Sequence, residues 1–338
     1  MAARPFGRKP LPRVYVTRKL PGDALDRLRE HAEVEVWPQE PPPSRDELAR
    51  ALTTAEGLLF LLTDNIDAGL IDGAPRLRAL STMSVGYDHI DVEACTRRRI
   101  AVGYTPGVLT EATADLAFAL LLAAARRLPE GERAVREGRW SAWHPSFLLG
   151  RDVYGATLGI VGLGQIGTAV ARRARGFEMR VLYTGHAPQP PKEAVLGVEF
   201  RSFEELLAQS DFVSVHVPLA PETRHMFNDA AFGRMKRTAI FVNTARGAIV
   251  DQAALQRALE SGRIAGAAID VAETEPLSKN DPLLRLPNLL VTPHIGSASV
   301  AARANMASMA ADNLLAALEG RRPAQCVNPE ALGVRPAS

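Results

Sequence analysis

Leu158-Gly159-Ile160-Val161-Gly162-Leu163-Gly164-Gln165-Ile166-Gly167 runs from an aliphatic, strand-like tetrad straight into a G-x-G-x-x-G motif, and a helical pattern follows from Thr168. Each glycine has its own physical task. Gly162 permits a tight turn, Gly164 lets backbone approach a pyrophosphate, and Gly167 lets helix and strand pack closely, while the helix N-terminus faces the anion. The motif alone would be weak evidence, and a purely structural turn is the competing reading. A strand before it and a helix after it favour nucleotide binding.

Outward from this turn the chain repeats a βαβ rhythm. Strand patterns lie at 157–161, 180–183, 212–217, 239–242, 264–269 and 289–291, with helices expected at 168–176, at 203–209 behind a Ser202/Glu205 capping box, and at 251–261 before Gly262. An earlier series has strands at 14–17, 34–36, 58–62, 77–81 and 100–102, with a helix at 45–52 behind a Ser44/Glu47 box. An apolar helix near 111–127 joins the two series, and a last helix at 301–318 follows the second. The pattern predicts an α/β protein with two doubly wound parallel sheets.

The whole chain bounds its partners. Its 338 residues suit two domains, and 40 Lys+Arg against 38 Asp+Glu leave a formal charge of +2, so no global field favours nucleic acid or an anionic membrane. The apolar run 116–125 closes on Arg126 and Arg127, well short of the roughly 20 residues that span a bilayer. Cys95 and Cys326 form no C-x-x-C pair, which suits a reducing cytoplasm. Arg4, Arg8, Lys9 and Arg13 give residues 1–13 a basic cast. Three prolines and no serine favour a short disordered leader over a transit segment.

In open α/β sheets ligands gather beyond the carboxyl ends of the strands. Three such ends carry chemistry: 239–242 runs into Asn243-Thr244-Ala245-Arg246, 264–269 into Asp270, and 289–291 towards Pro293-His294. A guanidinium fork binds a carboxylate and polarises an adjacent carbonyl. Imidazole is the side chain most readily poised as an acid near neutral pH, and Glu275, before Pro276, would favour its charged form. Taken singly, each residue has a plain structural explanation. His89 reads as a structural hydrogen-bonding residue, and His31, His144, His216 and His225 show no metal spacing.

The ordered segments Ser81-Thr82-Met83-Ser84-Val85-Gly86-Tyr87-Asp88, Gly103-Tyr104-Thr105-Pro106, 162–167, 243–247, Asp270 with Glu275-Pro276, and Pro293-His294-Ile295-Gly296-Ser297 together resemble the D-isomer-specific 2-hydroxyacid dehydrogenase family over nearly the whole chain. Within it the glyoxylate/hydroxypyruvate reductases are nearest. The resemblance implies NAD(P)H-dependent reduction of small 2-oxo acids, with Arg246 binding substrate, His294 as acid/base and Glu275 tuning it. It implies substrate contacts from the Val85 and Gly86 amides, from Arg303 and from Trp143. Cofactor contacts would come from Thr113, Gly162, Gly164, Gln165, Ile166, Gly167, Thr184, Gly185, His186, Val217, Pro218, Thr223, Thr244, Asp270, His294 and Gly296. A Rossmann coenzyme domain at 108–296 would be inserted in a flavodoxin-like substrate domain, 1–107 with 297–338.

Three further expectations follow. About 20 residues beyond Gly162, where NAD sites place an acid on the ribose 2′-hydroxyl, the chain has Thr184-Gly185-His186, so NADP(H) is preferred and NAD(H) accepted. Trp140-Ser-Ala-Trp143 resembles the family's dimerisation arm, so a homodimer is expected. Among rivals, phosphoglycerate dehydrogenase comes next; formate dehydrogenase-like enzymes have glutamine where Glu275 stands. The dinucleotide-sensing corepressors that resemble this family are expected to carry a partner-binding tail, and only some twenty residues follow the last helix here.

Overall fold

The computed structural model describes residues 10–333. Residues 1–9 of the basic leader lie outside them. At its other end the leader reading is corrected: Arg13 opens the first strand, where its carbonyl accepts from Glu56 N (2.8 Å) and its guanidinium faces Glu33 (3.8 Å).

In chain order the elements begin β1 (Arg13–Val16), α1 (Ala24–His31), β2 (Glu33–Val36), α2 (Arg45–Leu52), β3 (Gly57–Phe60), α3 (Ala68–Asp72), β4 (Ala79–Thr82), α4 (Val92–Arg97) and β5 (Ala101–Gly103). Then follow α5 (Thr110–Ala125), α6 (Leu128–Arg136), β6 (Thr157–Val161), α7 (Gln165–Ala174), β7 (Arg180–Thr184), α8 (Pro190–Leu196), β8 (Val198–Phe200), α9 (Phe203–Gln209) and β9 (Phe212–Val215). The chain closes with α10 (Asp229–Arg234), β10 (Ile240–Asn243), α11 (Gln252–Glu260), β11 (Gly266–Ile269), β12 (Leu289–Val291) and α12 (Val300–Leu318). These form two compact units, 1–109 with 299–338, and 110–298.

The first unit is an all-parallel sheet in the order β2-β1-β3-β4-β5, the flavodoxin order. Alternate side chains serve opposite faces. Tyr15, Leu58, Phe60, Leu80 and Val102 join Leu48, Leu52, Leu70 and Cys95 in one core. The other face is kept small so that α12 can lie close to it: a Cβ on Gly57 would meet Leu318 and Leu314, and one on Gly103 would stand 2.6 Å from Asn313 Cβ. Two buried asparagines bind the C-terminal segment. Asn313 donates to Tyr104 O (2.9 Å) and accepts from Gln325 N, while Asn328 accepts from Val102 N (2.8 Å) and donates to Ile100 O (3.0 Å).

The second unit is a seven-stranded parallel sheet in the order β12-β11-β10-β9-β6-β7-β8. Its strand order reverses at β6 and β9, the place where a doubly wound sheet opens a crevice. Strands buried on both faces read as continuous apolar runs, as Ile240, Phe241 and Val242 do. Both capping boxes form, Ser44 with Glu47 at α2 and Ser202 with Glu205 at α9. No helix among the described residues is long and apolar enough to cross a membrane.

The differences from the sequence reading are local. The strand expected at 58–62 stops at Phe60 because Leu61 N turns to Asp64 Oδ2 (2.9 Å). The helix expected at 168–176 starts at Gln165, since extended Gly164 is its N-cap and Gly167 lies inside it. The strand β8 has only three residues, too few to show a period.

Gly103→Ala is expected to destabilise the first unit by about 1–3 kcal/mol, because the added methyl overlaps Asn313 and Ser81 Oγ (2.9 Å) in a close-packed seam. Urea unfolding followed by far-UV circular dichroism checks this. A midpoint equal to that of wild type would mean α12 does not rest on the sheet as closely as described.

Candidate active site

The three glycines of the turn after β6 behave differently from one another. Gly162 has φ +99°, and a Cβ there would lie 2.7 Å from His216 O. A Cβ on Gly167 would lie 2.1 Å from Gly162 O, so that glycine sets how closely α7 meets β6. Beyond its chain neighbours and its own helix, no atom of the described residues stands within 4 Å of where a Cβ on Gly164 would be, so that side of the turn is an open cradle. This is the division of labour a dinucleotide pyrophosphate requires. Gln165 and Ile166 open α7, whose N-terminal amides face the same opening.

The neighbouring strand ends extend the cradle. Thr184 ends β7 and its carbonyl accepts from Gly162 N (3.0 Å), while Gly185 and His186 are exposed in the turn that follows. Val217 and Pro218 follow β9, where Thr223 Oγ1 donates to Pro218 O (2.7 Å) and accepts from Ala220 N (2.8 Å), fixing the loop. Thr244, just past β10, has a buried hydroxyl with no hydrogen-bond partner among the described residues, as an unmet ligand contact would leave it. Thr113 on α5 comes to the same place as Asp270 and Gly296: a Cβ on Gly296 would lie 3.2 Å from Asp270 Oδ2 and 3.5 Å from Thr113 Cγ2.

Asp270 is 1% exposed and its carboxylate is spent on the next strand's turn. Oδ1 accepts from Thr292 Oγ1 (2.6 Å) and Ile295 N (2.9 Å), and Oδ2 from Gly296 N (2.7 Å). The Asp270 carbonyl also accepts from His294 N (2.9 Å). Four bonds thus wrap residues 292–296 around one residue and hold His294 at φ +54°, a conformation costly for a non-glycine residue unless its surroundings enforce it.

The ring so presented meets Glu275, with His294 Nδ1 2.6 Å from Glu275 Oε2. Glu275 Oε1 accepts from Ala272 N (2.9 Å), so both carboxylate oxygens are fixed. Burial pushes the Glu275 carboxyl up, but the His294 hydrogen bond and charge, the Ala272 amide and the Arg246 charge outweigh it and leave it below its ordinary value. With Nδ1 tied to the carboxylate, Nε2 is the nitrogen left for chemistry. Arg246 follows β10 in a turn shaped by Asn243, which accepts from Ala245 N (3.0 Å) and donates to Arg246 O (3.0 Å). Gly247 explains how close this loop lies to the Glu275 loop: a Cβ there would overlap Ala272 O at 1.9 Å.

The second unit therefore brings Arg246, Glu275, His294 and Asp270 to the carboxyl ends of β10, β11 and β12. Val85, Gly86 and Arg303 belong to the first unit. Val85 and Gly86 lie in the loop after β4, where Ser84 Oγ donates to Gly86 O (2.7 Å) and neither amide has a partner among the described residues. Arg303 stands in the first turn of α12. His89 bonds Thr82 Oγ1 (3.1 Å) and edges Phe60. Trp143 is 82% exposed in the segment after α6. Sequence reasoning missed Thr292 and the side-chain work of Asn243; the only available signal was a polar residue at a strand end. His216, half-buried and bonded to Ser214 Oγ (2.8 Å), has its pKa pushed down to about 4 by desolvation of its ring and is neutral.

Comparison with known proteins finds relatives along nearly the whole chain. Residues 118–296 match the model of the D-isomer specific 2-hydroxyacid dehydrogenase NAD binding domain. A glyoxylate reductase of Korarchaeum cryptofilum is 53% identical over 326 residues, 96% of this chain and 98% of that one. A crystal structure of a Thermus thermophilus protein superposes with a TM-score of 0.88 at 52% identity, covering 93% of this chain and 99% of that one. An NADPH-dependent glyoxylate/hydroxypyruvate reductase of Sinorhizobium meliloti, solved with NADP and malonate, gives 0.84 at 32% identity over 97% and 99% of the two chains. The chain belongs to the D-isomer specific 2-hydroxyacid dehydrogenases, a family of oxidoreductases with a Rossmann NAD-binding domain.

Proposed function

We propose that this chain reduces small 2-oxo acids with NAD(P)H, glyoxylate to glycolate and hydroxypyruvate to D-glycerate. The observation that carries the reading is the His294–Glu275 pair standing beside Arg246 at the strand ends of a dinucleotide-binding sheet. The 53% identical relative is a glyoxylate reductase.

When bound, the reduced nicotinamide supplies the hydride. Arg246 holds the substrate carboxylate with its fork and draws electron density onto the carbonyl oxygen. His294, protonated, gives its Nε2 proton to that oxygen as it gains charge. Glu275 holds the ring in place and keeps Nδ1 occupied. Asp270 holds the turn, and three of its roughly four acceptor sites are filled, so one remains for the nicotinamide amide. Val85, Gly86 and Arg303 take the substrate contacts that the family resemblance implies.

His294→Ala is expected to lower kcat by about 10²- to 10⁴-fold with cofactor affinity kept. Steady-state assays with glyoxylate, alongside cofactor binding by fluorescence, check it, and an unchanged kcat would remove His294 from the mechanism. In Glu275→Gln the carboxylate that meets His294 Nδ1 is gone, so the acid limb of the pH–rate profile for reduction is lost. In wild type the acid limb belonging to Glu275 lies below the ordinary carboxylate range, since its pKa is lowered. Superimposable profiles would separate Glu275 from proton transfer. Arg246→Lys raises KM and lowers kcat together, and equal service by lysine would refute the bidentate role.

NADP(H) is the preferred cofactor. The turn after β7 holds Thr184, Gly185 and His186 with no acid to repel a 2′-phosphate. The ratio of kcat/KM for NADPH over NADH should exceed one. A clear NADH preference throughout would overturn the cofactor reading.

The active form is a homodimer, and the location is a reducing cytoplasm, which suits the two free thiols Cys95 and Cys326. Trp140, Trp143, Phe147, Leu149 and Tyr154 are all exposed within fifteen residues, a density of apolar surface that marks an interaction site. Light scattering should give twice the chain mass, and Trp143→Ala should weaken oxo-acid binding. A stable, fully active monomer would contradict both.

A further inference from the structure

The helix α8 folds a cation back onto the glycine turn. Lys192 Nζ donates to the carbonyl of Leu163, between Gly162 and Gly164, at 2.8 Å. The ammonium is half-buried, and no carboxylate lies within ion-pair distance of it among the described residues. Its neighbour Glu193 is occupied elsewhere, accepting from Tyr183 OH (2.6 Å) and Gln189 N (3.1 Å). Tyr183 is fully buried and its hydroxyl also accepts from Gln189 N, so the start of α8 is pinned to β7. Lys192 is thus held in place by a framework that leaves its charge uncompensated.

An ammonium has three donors, and Leu163 O takes one. Two donors remain, and the turn that carries Leu163 is joined to the end of β7 by the bond from Gly162 N to Thr184 O (3.0 Å). In a Rossmann unit the adenosine ribose lies between these two places, with its 2′-position towards the second strand. The geometry assigns to Lys192 the role of the fixed cation for the 2′-phosphate of NADP(H), making it a specificity-determining residue. This rests on the cofactor reading above and deepens it. Lys192 then carries most of the preference, and His186 adds to it.

The test is equilibrium binding of NADP⁺, NAD⁺, 2′,5′-ADP and 5′-AMP by calorimetry to the full-length wild type, Lys192→Met, Lys192→Arg and His186→Ala. Charge-assisted contacts to phosphate are worth about 10- to 100-fold in affinity. Lys192→Met is expected to weaken NADP⁺ and 2′,5′-ADP by that factor while NAD⁺ and 5′-AMP change less than about twofold, and Lys192→Arg should retain the preference. His186→Ala should leave most of it intact at pH 8. Equal weakening of all four ligands in Lys192→Met would overturn the inference, since the lysine would then only brace the turn or meet the pyrophosphate. Unchanged NADP⁺ affinity in that variant would overturn it too. Wild type binding NAD⁺ more tightly than NADP⁺ would instead sink the cofactor reading itself.

Discussion

The buried carboxylate of Asp270 is the contact on which the candidate site depends. Three donors from residues 292–296 converge on it and its own carbonyl accepts a fourth. A carboxylate this deeply buried is costly unless its acceptor sites are filled, and here a single turn fills three of them. The exchange is mutual: the turn satisfies the charge, and the charge forces the turn to hold His294 with a positive φ. Without that conformation, Nδ1 would have no reason to point at Glu275.

Close approach is the second constraint, and it is met by small residues. Gly247 brings the Arg246 loop against Ala272, and Gly296 lets Asp270 and Thr113 share one corner. Gly167 seats α7 against β6, and in the first unit Gly57 and Gly103 admit α12 to the sheet. At each position a methyl would have to displace backbone or a packed side chain, so the glycines encode distances between elements far apart in sequence. The doubly wound sheet then collects the consequences at its carboxyl edge, where guanidinium, carboxylate and imidazole arrive on successive strands.

Much of this was legible in the sequence because it is local. Aliphatic runs, two capping boxes and the G-x-G-x-x-G turn are patterns within a dozen residues, and they place β6, α2 and α9 with the right bounds. The polar strand ends announced Arg246, Asp270 and His294. What stayed hidden is what depends on long-range contact. The Asp270 grip on Thr292 joins residues 22 apart, and the Lys192 contact with Leu163 joins residues 29 apart. No spacing rule connects either pair. Asn313 and Asn328 are equally silent in sequence, because a buried asparagine becomes structural only once the backbone groups it satisfies have been brought to it.

The most direct measurement of the account is nitrogen-15 NMR of histidine-labelled protein, comparing wild type with Asp270→Asn. In wild type the His294 ring should show a far-downfield Nδ1 proton shared with Glu275. In Asp270→Asn the amide cannot accept the same set of donors, so that signal should vanish, while His216, whose pKa burial holds at about 4, keeps its neutral pattern as evidence that the fold persists. A His294 signal unchanged in Asp270→Asn would show that the turn does not depend on the buried carboxylate, and the account would fail at its root.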